Sequence, residues 1–215
     1  MNTEKNYKKI KTYGRSIGKS LSENQINSMK EYFLKNSFSD FLHKFDNFIL
    51  EIGFGNSENL FWLAEKNPNT GIIGIDPFKN SCSRAISKLN ELNHIKNILI
   101  INDDALEILN QFPNTLFEKI YVLFPDPWPK KKHNKRRLLN EINLNNLLKK
   151  VKSCIYFATD NQNYFENISS ICNQIPNINK LIFNKKPDNF SILTKYEQKA
   201  LEKGIHPMYM IIEKL

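Results

Sequence analysis

Phe48-Ile49-Leu50-Glu51-Ile52-Gly53-Phe54-Gly55-Asn56-Ser57 decides the fold: an apolar run broken by one acid, then two glycines one residue apart. An apolar run without polar alternation reads as a strand covered on both faces, as in a parallel sheet. The glycines end it in a tight turn that lets a ligand approach the backbone. Glu58 to Lys66 follows with helical periodicity. The unit then recurs. Gly71 to Asp76 is a second strand, followed by a helix over Asn80 to Leu92; Asn97 to Ile101 is a third, followed by Ala105 to Gln111. Lys119 to Phe124 is a fourth, with a helix from Leu138 to Lys150, and Ser153 to Ala158 a fifth, with a helix over Tyr164 to Gln174. Such repeated βα units imply an α/β fold with a Rossmann-like, doubly wound sheet.

The last third departs from this rhythm. Leu181-Ile182-Phe183 reads as a strand, Lys195 to Lys203 as a helix and Met208 to Ile212 as a final strand. These suit a seven-stranded, mostly parallel sheet ending in an antiparallel edge hairpin. Residues 1–45 are polar and basic, with an amphipathic stretch at Glu23 to Lys35. They are expected to form an N-terminal basic extension with a helix, beside a domain spanning 46–215.

At 215 residues and 40% hydrophobic content, the chain can bury a substantial core. No apolar run approaches the roughly 18–20 residues needed to span a bilayer. The start, Met1-Asn2-Thr3-Glu4-Lys5, has no apolar core of a secretory signal, so a cytoplasmic location is expected. Cys82, Cys154 and Cys172 show no CxxC spacing and the four histidines no ligand spacing, so neither a disulfide framework nor a metal site is expected. The net charge of +9 favours a polyanionic partner, although lysine and asparagine are abundant throughout, which weakens that inference.

In open α/β sheets ligands bind beyond the carboxyl ends of the strands. Gly53 and Gly55 sit at the first such end, with Ser57, a candidate helix cap, where a dinucleotide fingerprint has its third glycine. Asp76 ends the second strand about 20 residues on, where an acid accepts hydrogen bonds from ribose hydroxyls; a helix cap is the plainer alternative. Glu51 separates the possible ligands. Its charge repels a pyrophosphate and attracts the sulfonium and ammonium of S-adenosyl-L-methionine. Asp104, at the third strand end, suits either an adenine amino group or a helix cap.

The fourth strand ends in Phe124-Pro125-Asp126-Pro127-Trp128-Pro129. The prolines stiffen this segment, holding an acid and a large aromatic at the mouth of the site. Lys130-Lys131-Lys132-His133-Asn134-Lys135-Arg136-Arg137 follows, six Lys or Arg in eight residues. A charge run is ordinarily a solvated face; this one lies beside the acid, where an RNA backbone would pass.

With these segments assembled, the chain resembles the bacterial tRNA (guanine-N7-)-methyltransferase family over nearly its whole length. The resemblance rests on Leu50 to Gly55, Gly74 to Asp76, Asp104-Ala105, Phe124 to Arg137, Thr159-Asp160 and Thr194 to Glu197, with Tyr13-Gly14-Arg15 and Gln25 near the start. It implies a class I S-adenosylmethionine-dependent methyltransferase acting at guanine 46 of the tRNA variable loop. It also implies that Glu51, Gly53, Gly55, Asp76, Asp104 and Asp126 bind the cofactor, with Asp126 catalytic. Lys130, Asp160, Thr194, Lys195, Tyr196 and Glu197 correspond to substrate positions, and Lys132, His133, Asn134, Lys135, Arg136 and Arg137 to an RNA-binding segment. The implied partner is tRNA, with no membrane or metal, acting as a monomer or homodimer. Two positions depart from the family: Asp76 replaces the usual glutamate, and Ser57 the usual third glycine.

Guanine N7 carries a lone pair and no proton, so methyl transfer needs positioning but no base to generate the nucleophile. Asp126 and Asp160 are expected to grip the guanine edge through its N1 and N2 donors and to balance the charge that develops on the ring. Trp128 or Tyr196 is expected to stack on the base, while His206 reads as structural. Rival readings are an exocyclic-amine methyltransferase, disfavoured because the motif is Asp-Pro-Trp, and a non-catalytic RNA-binding protein, disfavoured by the intact acids. A dehydrogenase is disfavoured by Glu51.

Overall fold

A computed structural model describes residues 18–188 and 190–215. Tyr13-Gly14-Arg15 lies outside the described residues. Two helices come first, α1 (Glu23–Lys35) and α2 (Phe38–Leu42). Five βα units follow: β1 (Phe48–Ile52) and α3 (Glu58–Lys66), β2 (Gly71–Ile75) and α4 (Lys79–Glu91), β3 (Ile98–Ile101) and α5 (Ala105–Ile108), β4 (Phe117–Leu123) and α6 (Glu141–Lys150), then β5 (Val151–Thr159) and α7 (Gln162–Cys172). The chain ends in β6 (Ile178–Phe183), α8 (Lys195–Glu202) and β7 (Met208–Lys214).

The seven strands form one sheet in the order β3-β2-β1-β4-β5-β7-β6. β1 to β5 pair in parallel, and β7 runs antiparallel to both its neighbours. The hairpin expected at the end of the chain is present, but β7 slots between β5 and β6, leaving β6 as the edge. β1 and β2 are buried at every position, as strands covered on both faces must be. Alternate side chains of each strand feed one of two cores. Leu50, Ile52, Ile120 and Ile155 face α5, α6 and α7 in one, and Ile49, Ile72, Tyr121 and Ala158 face α3 and α4 in the other.

The stretch read as an N-terminal extension contributes to both cores, through Met29 and Phe41. α1 starts in a capping box: Ser22 Oγ accepts from Gln25 N, and Gln25 Oε1 accepts from Ser22 N. From this helix the Tyr32 hydroxyl accepts a 3.0 Å hydrogen bond from Ile100 N of the edge strand β3. All three cysteines are buried, as expected of small core residues.

Candidate active site

The strand order reverses between β1 and β4, and a cleft of about 430 Å³ opens beyond the carboxyl ends there. One wall is the glycine turn. Gly53 (φ +73°) and Gly55 (φ +54°) adopt left-handed backbone that other residues resist. A Cβ on Gly55 would come within 3.2 Å of the Tyr196 ring, so glycine here lets α8 close over the turn. Ser57 also has positive φ (+66°), which accounts for glycine being the usual residue. It holds the N-terminal position of α3, but its hydroxyl donates to Asn56 O and does not cap the helix.

Asp76 lines the cleft and braces the turn. Its Oδ2 accepts from Gly55 N at 2.9 Å and its Oδ1 from Phe78 N at 2.8 Å. Burial raises its pKa; those two hydrogen bonds and the charge of Arg84 act in the opposite direction, while the charge of Asp126 adds to the rise. Glu51 lies behind the turn, only 3% exposed and not on the cleft wall. Its Oε2 has no hydrogen-bond partner among the described residues. Burial pushes its pKa up to about 8, with the Asn59 side chain beside it acting downwards. An orphaned buried oxygen is costly in an isolated protein and calls for a donor. Asp104 takes the plainer of its two expected roles as N-cap of α5, its Oδ1 accepting from Leu106 N at 2.9 Å; it is the adjoining Ala105 that lines the cleft.

Opposite the glycine turn stands the loop after β4. Phe124 N donates to Ala158 O, so the ladder to β5 continues one residue past the strand. Phe124 (φ +51°) and Trp128 (φ +43°) then both sit in left-handed backbone. Strain of this kind costs of order 1–3 kcal/mol per residue and concentrates at functional sites. It turns Asp126, exposed to solvent, and Trp128 into the cleft. The basic run forms a 3₁₀ turn over Lys131–Arg136, where the sequence suggested only a charged block. Arg136 stacks over Trp128 with its guanidinium carbon 5.0 Å from the ring centroid, and His133 meets the same ring edge-on at 5.8 Å. Partial burial, then the charges of Arg136, Lys130 and Lys135, lower the His133 pKa. Lys130, Lys132 and Lys135 are exposed and Asn134 is half-buried.

Arg137 departs from its expected place on an RNA track. It is 2% exposed and turned into the protein, because the chain there heads for the fully buried Leu139. Thr194 and Glu197 also face inward. Thr194 caps α8 through Glu197 N, and the Glu197 carboxylate accepts from Tyr209 Oη at 2.8 Å and from Lys186 Nζ at 3.0 Å. Of that segment, Tyr196 reaches the cleft while Lys195 is exposed outside it. Asp160 is exposed at the end of β5, one strand over from Asp126 and outside the cleft lining. The cleft also uses Phe78, Ser81 and Leu138, which sequence reasoning passed over. The Pro77-Phe78 step after the Asp76 strand end was the only signal for the first of these.

The cleft volume falls in the roughly 300–1,000 Å³ range of cofactor and ligand sites. Its acids at the ends of β2 and β4, with the orphaned Glu51 oxygen behind the glycine turn, suit a ligand that carries hydroxyls and a cationic amine. Among the described residues no three His, Cys, Asp or Glu side chains are grouped to hold a metal ion, and no helix is long and apolar enough to cross a membrane.

Comparison with known proteins identifies the family and the fold. Residues 46–210 match the family described as "Putative methyltransferase". The chain is 36% identical to a tRNA (guanine-N(7)-)-methyltransferase of Bartonella henselae, over 92% of this chain and 93% of that protein. It is 42% identical to one of Wolbachia pipientis, over 71% and 68%. It is also 37% identical to a bifunctional methyltransferase of Rickettsia conorii, of which it spans only 40%. Among solved structures, the 16S rRNA methyltransferase KamB superposes with a TM-score of 0.59 at 10% identity, over 95% of this chain and 98% of that one. An rRNA methylase from Streptococcus thermophilus gives 0.55, also at 10%, over 91% and 99%. These two share the fold.

Proposed function

Since the chain belongs to the tRNA (guanine-N7-)-methyltransferase family, we propose that it methylates N7 of a guanine in tRNA, at variable-loop position 46, using S-adenosyl-L-methionine. The observation that carries this reading is the placement of Asp126. A strained, proline-flanked loop presents it to the same cleft as the glycine turn and Asp76, with a lysine-rich turn alongside.

Bound in the cleft, the cofactor supplies an electrophilic methyl group on a sulfonium. The Gly53–Gly55 backbone and Asp76 hold its ribose side, and Glu51 receives its ammonium. Asp104, occupied as a helix cap, contributes through its backbone and through Ala105. No base is needed for a nitrogen that already has its lone pair. What the residues supply is alignment, in which well-oriented reactants gain up to roughly 7–11 kcal/mol. Asp126 grips the guanine edge through N1 and N2, and its charge offsets the positive charge developing on the ring. Asp160, one strand away, approaches the nucleotide from the other side. Trp128, already under Arg136, and Tyr196 offer aromatic faces that offset the few kcal/mol needed to extract a base from folded RNA. Lys130, Lys131, Lys132 and Lys135 follow the phosphate backbone, and the working compartment is the cytoplasm.

The test is methylation of an unmodified tRNA transcript with labelled cofactor, followed by mapping of the product nucleotide. 7-Methylguanosine in the variable loop is expected. Its absence overturns the reading; methylation of another guanine overturns the position alone.

A further inference from the structure

Arg137 is a buried cation at the end of a basic run, and its contacts show what it holds. Its Nε donates to Pro127 O at 2.8 Å, the carbonyl between Asp126 and Trp128. Its Nη2 donates to Asn163 Oδ1 at 2.8 Å on α7. The guanidinium lies 4.6 Å from the centroid of the Tyr164 ring. Tyr164 is itself fully buried, and its hydroxyl accepts from Leu139 N at 2.8 Å. Nη1 has no hydrogen-bond partner among the described residues. At the backbone, Arg137 N donates to Asn134 O at 3.0 Å and closes the 3₁₀ turn of the basic run.

A buried charge is weak evidence of stability, since desolvation opposes what its contacts contribute. One partnerless N–H makes that balance worse. Geometry accounts for it better. Proline offers no N–H at 125, 127 or 129, so ordinary backbone pairing cannot fix this loop, and two of its residues occupy left-handed conformations that relaxation would abandon. A planar guanidinium that binds a loop carbonyl and a helix side chain at once, over an aromatic ring, is a rigid brace of a kind lysine cannot reproduce.

We propose that Arg137 is a positioning residue for methyl transfer: it pins the Pro127 carbonyl to α7, sets Asp126 and Trp128 in the cleft, and ties them to the RNA-contacting turn whose last hydrogen bond it makes. This rests on the reading of the cleft as the methyl-transfer site. Arg137 therefore acts on turnover, in contrast to the exposed lysines before it, which act on RNA affinity.

The experiment is steady-state kinetics with tRNA transcript on Arg137→Met, Arg137→Lys, Asn163→Ala and Lys135→Ala, with melting curves for each. Misplacing reacting groups by about 1 Å costs on the order of a hundredfold. Arg137→Met is expected to lose about that much kcat with KM for tRNA changed by less than roughly twofold. Arg137→Lys recovers part of the loss, and Asn163→Ala gives an intermediate one. Lys135→Ala does the reverse, raising KM and sparing kcat. A raised KM with normal kcat in Arg137→Met overturns the proposal, as does unchanged turnover. If that variant does not fold, Asn163→Ala decides, and undiminished kcat there overturns it. A wild-type chain that forms no 7-methylguanosine defeats the reading of the site; an active wild type with a fully active Arg137→Met defeats only the brace.

Discussion

Binding of the cofactor is expected to expel a proton from Glu51. Burial pushes this carboxyl up to about 8, so at pH 7 the unliganded protein holds it mostly neutral. A cationic ammonium arriving at its orphaned Oε2 favours the ionised form. Ionising it costs about 1.4 kcal/mol at pH 7 and about 3 kcal/mol at pH 6, at 1.36 kcal/mol per pH unit. Affinity for S-adenosylhomocysteine, which keeps the ammonium, should rise roughly tenfold per unit from pH 6 towards 8. Calorimetry at pH 7 in buffers of different ionisation enthalpy should register release of close to one proton. Glu51→Gln should bind weakly and lose both signatures. The stability of the unliganded fold responds in the opposite sense. A raised carboxyl contributes stability that is fully present below its unfolded value near 4.5 and is lost as pH rises through about 8, so wild-type melting temperature should fall over that window more than that of Glu51→Gln. Affinity that is flat from pH 6 to 8, or an equal slope in Glu51→Gln, refutes the reasoning.

Three further outcomes follow from the geometry. Asp126→Ala should abolish measurable methyl transfer while leaving the melting curve almost unmoved, because the side chain is solvent-exposed; near-normal turnover would remove Asp126 from the mechanism. With Arg137 buried and Arg136 on Trp128, the basic run offers RNA four exposed lysines, 130, 131, 132 and 135. At roughly 0.7–0.9 counterions released per phosphate, tRNA affinity should then drop on the order of a hundredfold between 50 and 200 mM salt, and a drop nearer a thousandfold would mean about six contacts. Glu197→Ala strands the Tyr209 hydroxyl and the Lys186 ammonium. It should cost about 3 kcal/mol, or roughly 6–12 °C in Tm for a chain of this size; a shift under about 2 °C by scanning calorimetry would deny Glu197 that structural role.

The parallel strands were readable because burial on both faces forces unbroken apolar runs such as Ile49–Leu50 and Ile72–Ile73. That rule weakens at the edge. In β6, Asn179 and Lys180 interrupt the apolar residues, so only Leu181–Phe183 read as strand. The five-residue α2, too short for periodicity, was invisible. At the site, the glycine turn, Asp76 and Asp126 were legible because strand ends fix where such residues point. Arg137 and Glu197 were not. A charged letter carries no sign of whether its side chain turns outward to solvent or inward to Pro127 and Tyr209, and only the packing around it decides.

The Tyr32 hydroxyl on Ile100 N has a consequence for colloidal behaviour. Ile98–Ile101 is a short, wholly apolar strand at the margin of a sheet, the kind of surface on which a second molecule can lay a strand of its own. The phenol occupies the Ile100 N–H of that margin, and its helix packs beside the edge against α4. Through Tyr32, α1 thus acts as a guard against intermolecular β-pairing at this point, and a chain deprived of it would carry that N–H bare into a crowded solution.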